Sequence, residues 1–202
     1  MLNLGKILNK KVIFILVIVL LLVAGGVFWW QRDKEIKGSP ADYVIKETPE
    51  GKIVENKRAG LTIKVPEEWE VKKIEAEEGS VAFYFPNTKG EQRNEIISPP
   101  LKNGCIIETS VVYKEMNFEE IKKEVRAIHW GLRIQSEEFE EVTVNNHQAL
   151  KNTFDSGVLG SAIVVYISSR NKLYDFDLYW VPEEKEKCVQ AFDKFLETIS
   201  ID

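Results

Sequence analysis

The most loop-like polar cluster with hydroxyls that could do nucleophilic chemistry is Asp155–Ser161, which carries two serines, Ser156 and Ser161. A serine hydrolase would need a histidine beside one of these hydroxyls, and the chain contains His129 and His147. The segment is neither a Gly-x-Ser-x-Gly elbow nor a phosphate-binding loop, and it would join two antiparallel strands. Because nothing in the spacing brings a histidine to a serine, we expect no enzymatic activity.

Acidic residues could instead hold a divalent cation, and the densest group is Glu137, Glu138, Glu140 and Glu141. This run lacks the regular oxygen-ligand spacing of a calcium loop, so we interpret it as the solvated start of a strand. Two distant histidines without a cysteine pair argue against a zinc site. The sequence therefore predicts no metal and no other cofactor.

Three aromatic or imidazole side chains have two interpretations each. Trp69, which follows Pro66, could stack on a ligand, but we favour a tryptophan of the core at a strand end. His129 lies near the end of a predicted helix, where a cation interacts favourably with the carboxyl end, so we expect a surface histidine. His147 lies in a predicted tight turn, where exposure is the default.

The two cysteines, Cys105 and Cys188, could form a disulfide or remain buried thiols. Cys105 begins an alternating run whose odd-numbered residues share one mostly apolar face, and Cys188 lies on the apolar stripe of a predicted helix. Cysteines in an extracytoplasmic domain pair more often than not when the compartment is oxidising, so we favour the disulfide. It would contribute at most ~4–5 kcal/mol by restricting the unfolded chain.

An uncharged apolar run, Val12–Trp30, gives the strongest indication of location. A helix of this length crosses a ~30 Å hydrocarbon core. The lysines before the run orient the tail of residues 1–11 to the cytoplasm by the positive-inside rule. The small residues Val23–Gly25 leave cleavage as a signal peptide open. We favour an uncleaved transmembrane helix over 12–30, because apolarity continues to the paired Trp29 and Trp30.

The charge of the chain limits its partners. Removing the three lysines that precede the apolar run from the net charge of −5 leaves −8 for the remainder. An acidic domain does not favour nucleic acid, so we expect none as a partner; a cationic partner or a divalent ion would suit it. We expect the lipid bilayer to be contacted through the N-terminal helix. About 170 residues follow the run, enough for one compact domain.

The periodicity predicts an α+β fold with a central antiparallel sheet and two long helices. Asn117 and Glu120 are placed to cap the central helix, whose buried stripe is predicted as Phe118, Ile121, Val125 and Ile128. The terminal helix is predicted to start at Pro182 and to bury the stripe Val189, Phe192, Phe195, Leu196 and Ile199. The strand pairs between 139 and 180 are predicted to turn at Asn145-Asn146-His147 and at Arg170-Asn171.

The longest irregular stretch, Asn87–Asn103, is either a binding loop or simply mobile. Its candidate contact residues are Lys89, Gln92, Arg93, Pro99 and Pro100. We take it as the predicted interaction loop.

Two motifs resemble PsbP-like domains, in which a strand runs into a Pro-x-x-Trp corner. The first is Ala59–Trp69, which contains Pro66, and the second is the end of the domain, formed by the strand pair ending at Trp180 and the closing stretch Phe192–Ile199. The resemblance covers about Lys52–Ile201 and implies an α/β/α sandwich. The family includes the extrinsic PsbP subunit of photosystem II, a eukaryotic Ran-binding relative and many bacterial envelope proteins. Its shared motifs are packing motifs, so the resemblance implies no catalytic or metal-binding residue.

Together these features predict a cytoplasmic tail (1–11), a transmembrane helix (12–30), a linker and leading strand (31–51) and a PsbP-like extracytoplasmic domain (52–202). We expect a single-pass protein of the bacterial cytoplasmic membrane that acts by contact with an unidentified protein. The alternative is a ligand- or divalent-cation-binding envelope module.

Overall fold

A computed structural model describes residues 36–49, 51–74, 80–90, 101–132, 134, 136–155 and 161–202. The predicted transmembrane helix at 12–30 lies outside these residues. Within them, the model contains no helix that is both long enough and apolar enough to span a bilayer. Residues 36–51, assigned from sequence to a linker and leading strand, belong to the same compact unit as residues 52–202.

The main sheet is antiparallel and, within the described residues, has eight strands. These are β1 (Ile36–Lys37), β5 (Glu70–Ile74), β6 (Ser80–Tyr84), β9 (Cys105–Tyr113), β10 (Ser136–Val144), β11 (His147–Asp155), β12 (Ser161–Ser169) and β13 (Lys172–Trp180). Their order is β10-β11-β12-β13-β9-β6-β5, and β1 pairs with the end of β9.

A second antiparallel sheet, which the sequence analysis did not predict, has the order β14-β4-β3-β2. It consists of β2 (Tyr43–Thr48), β3 (Gly51–Asn56), β4 (Leu61–Lys64) and β14 (Ile199–Ile201). The assignment of Ile199 to the terminal helix was therefore wrong, because the chain turns after Leu196 and Ile199 pairs with Ile63 of β4. A further two-stranded ladder pairs β7 (Lys89–Gly90) with β8 (Leu101–Asn103).

The two α-helices are α1 (Phe118–Leu132) and α2 (Lys185–Leu196), and short 3-10 helices cover Pro40–Asp42 and Pro182–Glu184. The predicted reciprocal cap of α1 is confirmed. The backbone N–H of Glu120 donates to Asn117 Oδ1 over 3.0 Å, and the N–H of Asn117 donates to Glu120 Oε2 over 2.8 Å. These bonds satisfy two groups that a helix start leaves without partners.

The predicted tight turns between the long strands are confirmed at both places. Asn145 and Asn146, with φ of +47° and +68°, join β10 to β11. Arg170 and Asn171, with φ of +51° and +61°, join β12 to β13. Positive φ at both central residues matches the twist of the flanking strands, so each turn sets the register of its hairpin.

Side chains alternate between the two faces of the main sheet, and each face has its own cover. One face packs against both α2 and the second sheet, where Phe83, Phe176 and Phe195 belong to the larger buried cluster. The other face packs against α1 in a smaller cluster that includes Ile121 and Leu150. The antiparallel α+β prediction is confirmed, with the correction that a second sheet shares one face with α2.

Trp69 is confirmed as a residue of the core, with 6% of its surface exposed. Its ring lies 4.3 Å from that of Phe85 and is stacked 5.8 Å from that of Phe195, centroid to centroid. The strand β4 therefore ends in a corner that Trp69 fixes to α2.

Candidate functional site

A disulfide joins Cys105 at the start of β9 to Cys188 on α2, with the two Cα atoms 5.8 Å apart. Both residues are fully buried in the larger cluster. The bond therefore attaches α2 to the main sheet and contributes to packing rather than to a reactive site.

Of the predicted interaction loop, only the ends are described. Lys89 lies in β7 and pairs with Asn103 of β8. The Asn103 side-chain amide donates to the Asn87 carbonyl over 2.8 Å, which closes the base of the loop. The other four candidate residues, Gln92, Arg93, Pro99 and Pro100, lie outside the described residues.

The structure places the candidate serine and histidine on different faces of the main sheet. Ser161 alternates with the buried Ile163 and so belongs to the face that packs against α2. His129 instead contacts Phe154, which alternates with Leu150 on the α1 face. Ser156 lies outside the described residues. His147 is the first residue of β11 and pairs with Val144.

His129 is buried, so its prediction as an exposed surface histidine was wrong. It is 8% exposed, its Nδ1 contacts Glu137 Oε1, and its ring centroid lies 4.4 Å from that of Phe154. Arg126 contacts the same carboxylate, with Nε 3.5 Å from Oε2. Arg126 and His129 therefore hold the end of α1 against the β10–β11 hairpin at the edge of the main sheet.

The acidic run of β10 is divided between structural contacts and solvent. Glu137 serves His129 and Arg126, while Glu140 Oε2 lies 3.9 Å from Lys151 Nζ. Across the described residues, no group of three or more His, Cys, Asp or Glu side chains is arranged to hold a metal ion. Charged residues on an edge strand also discourage pairing with another chain.

The most unusual surface of the described residues is the end of α1, where Ala127, Ile128 and Trp130 are all exposed. We call these three residues the α1 tip. Trp130 is 89% exposed and Ile128 is 62% exposed. The prediction that Ile128 would be buried was therefore wrong. Since tryptophan has the largest apolar surface of any side chain, this exposure is the feature of the structure that most needs a cause.

The geometry of α1 explains why the tip faces outward. Ile121, Val125 and His129 succeed one another at intervals of four residues and form the buried row. Once His129 occupies the third place in this row, Ile128 and Trp130 are turned away from the sheet. From the sequence, either residue 128 or residue 129 could continue the buried stripe after Val125. Ile128 is the more apolar of the two and was therefore predicted to be buried, whereas the structure buries His129.

A cleft of about 520 Å³ adjoins this end of the main sheet. Its lining includes Glu137, Glu138, Ser161 and Lys185, and Lys185 Nζ lies 5.9 Å from the centre of the Trp180 ring. The cleft mixes both signs of charge with hydroxyls, and Asp155 and Ser161, which pair across β11 and β12, both line it. This arrangement can bind polar groups at a surface.

Carboxyl groups also lie on the α1 face of β13, where Asp175 and Asp177 are partly buried. Burial is the main reason that the pKa of Asp177 is raised well above its ordinary value, and the negative charge of Asp175 adds to it. Burial also raises the pKa of Asp175, although this carboxylate accepts the Ser110 N–H over 2.7 Å. Negative charge is thus disfavoured on this face.

The α1 tip lies far from the point where the chain enters the fold. β1 pairs Ile36 with Tyr113 at one end of β9. His129 contacts Phe154, which is aligned through β12 and β13 with Ile106, near the other end of β9. Residues 106 and 113 are separated by roughly 23 Å along a strand. The tip is therefore at the end of the sheet opposite to Ile36.

Solved structures that are similar to this chain include two with low sequence identity. The solution structure of cyanobacterial PsbP (CyanoP) from Synechocystis sp. PCC 6803 is 9% identical, with 80% of this chain and 94% of that chain covered at a TM-score of 0.46. A protein of unknown function from Pseudomonas aeruginosa is 10% identical, with 79% and 97% covered at a TM-score of 0.38. No protein-family model and no curated protein matches the chain.

Proposed function

We propose that this chain is a membrane-tethered, PsbP-like module that works outside the cytoplasm by binding another protein, and that it is not an enzyme. The exposed α1 tip is the observation that carries the proposal. Tryptophan is enriched among the residues that dominate binding energy at protein interfaces. An 89% exposed Trp130 beside a 62% exposed Ile128 is available for such a contact.

The surroundings of the tip support a protein as the occupant. Arg126 contacts the Glu137 carboxylate and lies 5.2 Å from the centre of the Phe139 ring, and the buried His129 contacts the same carboxylate. These contacts hold the backbone that carries the tip, so fewer groups have to be ordered when a partner binds.

Tethering rests on the apolar run at 12–30, which has the length of a membrane span and ends in Trp29 and Trp30. The PsbP-like assignment rests on the order of two sequence motifs. The structure supplies a consistent detail, because β4 does run into a corner at Pro66 that is closed by Trp69.

Site-specific photo-crosslinking in intact cells tests the proposal. A photoreactive phenylalanine analogue replaces Trp130 in the full-length chain, and a matched variant carries it at Val44, an exposed aliphatic residue of the second sheet. We expect position 130 to give one discrete protein adduct that mass spectrometry identifies and that position 44 does not give. Lipid adducts alone, or the same adducts from both positions, would contradict a protein contact at the tip.

A further inference from the structure

A second cavity, of about 260 Å³, lies on the face of the main sheet that packs against α2. It is bounded by the carboxyl end of α2 and by strands β10 to β12. A cavity of this size suits a small molecule rather than a protein segment. Side chains alternate along β11, so Lys151 in this cavity and Leu150 under α1 lie on different faces. The cavity is thus separate from the α1 tip.

The floor of the cavity is apolar. Val165 and Phe192 are each 1% exposed, and Leu196 is 8% exposed. The partly exposed Val142 also lines the cavity, so an aliphatic ligand body can remove the apolar surface that remains there from water.

One wall carries two carboxylates, those of Asp193 and Glu197, four residues apart at the end of α2. Both side chains are exposed, and within the described ranges neither has an ion-pair partner. Two like charges at this spacing repel each other, and both lie at the end of the helix where the dipole favours cations. Their position therefore weakens the helix and suits a positively charged ligand group.

The opposite wall carries a cation. Lys151 Nζ lies 3.9 Å from Glu140 Oε2, which is a loose ion pair, and its side chain is 30% exposed. Lys151 forms no ion pair with Asp193 or Glu197, so the cavity keeps positive and negative charge apart on its two sides.

We propose that this cavity binds a small zwitterionic aliphatic compound, with an ammonium group and a carboxylate joined by a short hydrocarbon chain. The ammonium group contacts Asp193 and Glu197, the carboxylate contacts Lys151, and the hydrocarbon chain covers Val142 and Leu196. Apolar pockets with a few converging polar groups are the usual form of small-molecule sites. This binding is independent of the protein contact at the α1 tip.

Calorimetric titration of the full-length chain in detergent tests the charge pattern. The probes are 6-aminohexanoate, which carries both charges, and hexylamine and hexanoate, which carry one each. We expect 6-aminohexanoate to bind at least about tenfold more tightly than either single-charge probe, as one extra charged contact is worth about a factor of ten. Absence of 6-aminohexanoate binding, or equal binding of all three probes, overturns the proposal.

Matched variants test whether the probes bind in this cavity. Lys151→Met keeps the aliphatic stem and is expected to weaken 6-aminohexanoate binding about tenfold while leaving hexylamine binding no weaker. Glu197→Gln is expected to weaken the binding of 6-aminohexanoate and of hexylamine, and to leave the binding of hexanoate unchanged. Lys194→Met and Glu186→Gln change exposed charges of α2 outside the cavity lining and serve as controls. Equal losses in the controls and the cavity variants also overturn the proposal.

Discussion

The two faces of the main sheet come from the same strands, yet they are built differently. On the face toward α2 and the second sheet, aromatic rings such as Phe83, Phe176 and Phe195 are fully buried, and a disulfide attaches the covering helix. On the face toward α1, the cluster is smaller and the helix ends in an exposed tip. Because side chains alternate along a strand, one sheet can devote one face to stability and leave the other for contacts.

The α1 face of the main sheet also holds buried or partly buried polar side chains. Asn152 lies on the α1 face and is fully buried, and among the described residues neither its side-chain oxygen nor its nitrogen has a hydrogen-bond partner. The partly buried Asp175 and Asp177 lie on the same face. Such groups reduce stability on the α1 face, and the second sheet also carries buried polar atoms without partners among the described residues, Tyr43 Oη and Asn56 Nδ2.

The largest expected effect comes from a matched pair of leucines, each fully buried, one on either face. We expect Leu178→Ala, on the α2 face, to lower the free energy of unfolding by about 4–5 kcal/mol and Leu150→Ala, on the α1 face, by about 2–3 kcal/mol. The difference arises because a looser site collapses further around a deleted side chain. Urea unfolding of both variants measures it. Equal losses would break the comparison.

The disulfide is the next test of the α2 face. Replacing Cys105 and Cys188 together by alanine is expected to cost about 4 kcal/mol, because the bond closes a loop with a sequence separation of 83. Urea unfolding of oxidised wild type, reduced wild type and the double variant provides the measurement. A reduced wild type as stable as the oxidised protein would show that the bond contributes nothing.

On the α1 face, removal of an unsatisfied polar group should stabilise the protein. Asn152→Leu is expected to raise the free energy of unfolding by about 1 kcal/mol, because it removes two buried polar atoms that lack partners. Asn145 gives a contrasting control, since its amide donates to the carbonyls of Leu196 and Ile199 over 2.9 and 2.7 Å. Asn145→Gly, which removes the amide and tolerates the positive φ of the turn, should destabilise. A loss of stability in Asn152→Leu would indicate that the side chain has a partner.

A pH dependence follows from Asp177, whose pKa is raised in the folded state mainly by burial. The protonated carboxyl suits the fold, so this group's contribution is fully present below its unfolded-state pKa and is lost as the pH rises through the raised folded-state pKa. We therefore expect Asp177→Asn to stabilise the protein at neutral pH, with a gain that shrinks toward pH ~4. Thermal unfolding across this range measures the gain, and a constant gain would contradict the assigned cause.

Local patterns predicted most of the elements, since capping at Asn117, the Asn145–Asn146 turn and strand alternation are all short-range signals. Contacts between residues that are far apart in the sequence could not be predicted in this way. Ile199 could continue a helical stripe, and only pairing with Ile63 of β4 makes it a strand. Likewise, apolarity favoured burial of Ile128 over His129, because the contact with Glu137 that buries the histidine depends on the edge hairpin.

The central claim is that the α1 tip binds a partner without supporting the fold, and Trp130→Ala tests it most directly. The affinity of the full-length variant for the crosslinked partner is measured together with its urea unfolding, beside a Val44→Ala control. We predict a loss of affinity of at least about tenfold with an unfolding free energy within about 0.5 kcal/mol of wild type. Unchanged affinity in Trp130→Ala, or an equal loss in Val44→Ala, would contradict the claim.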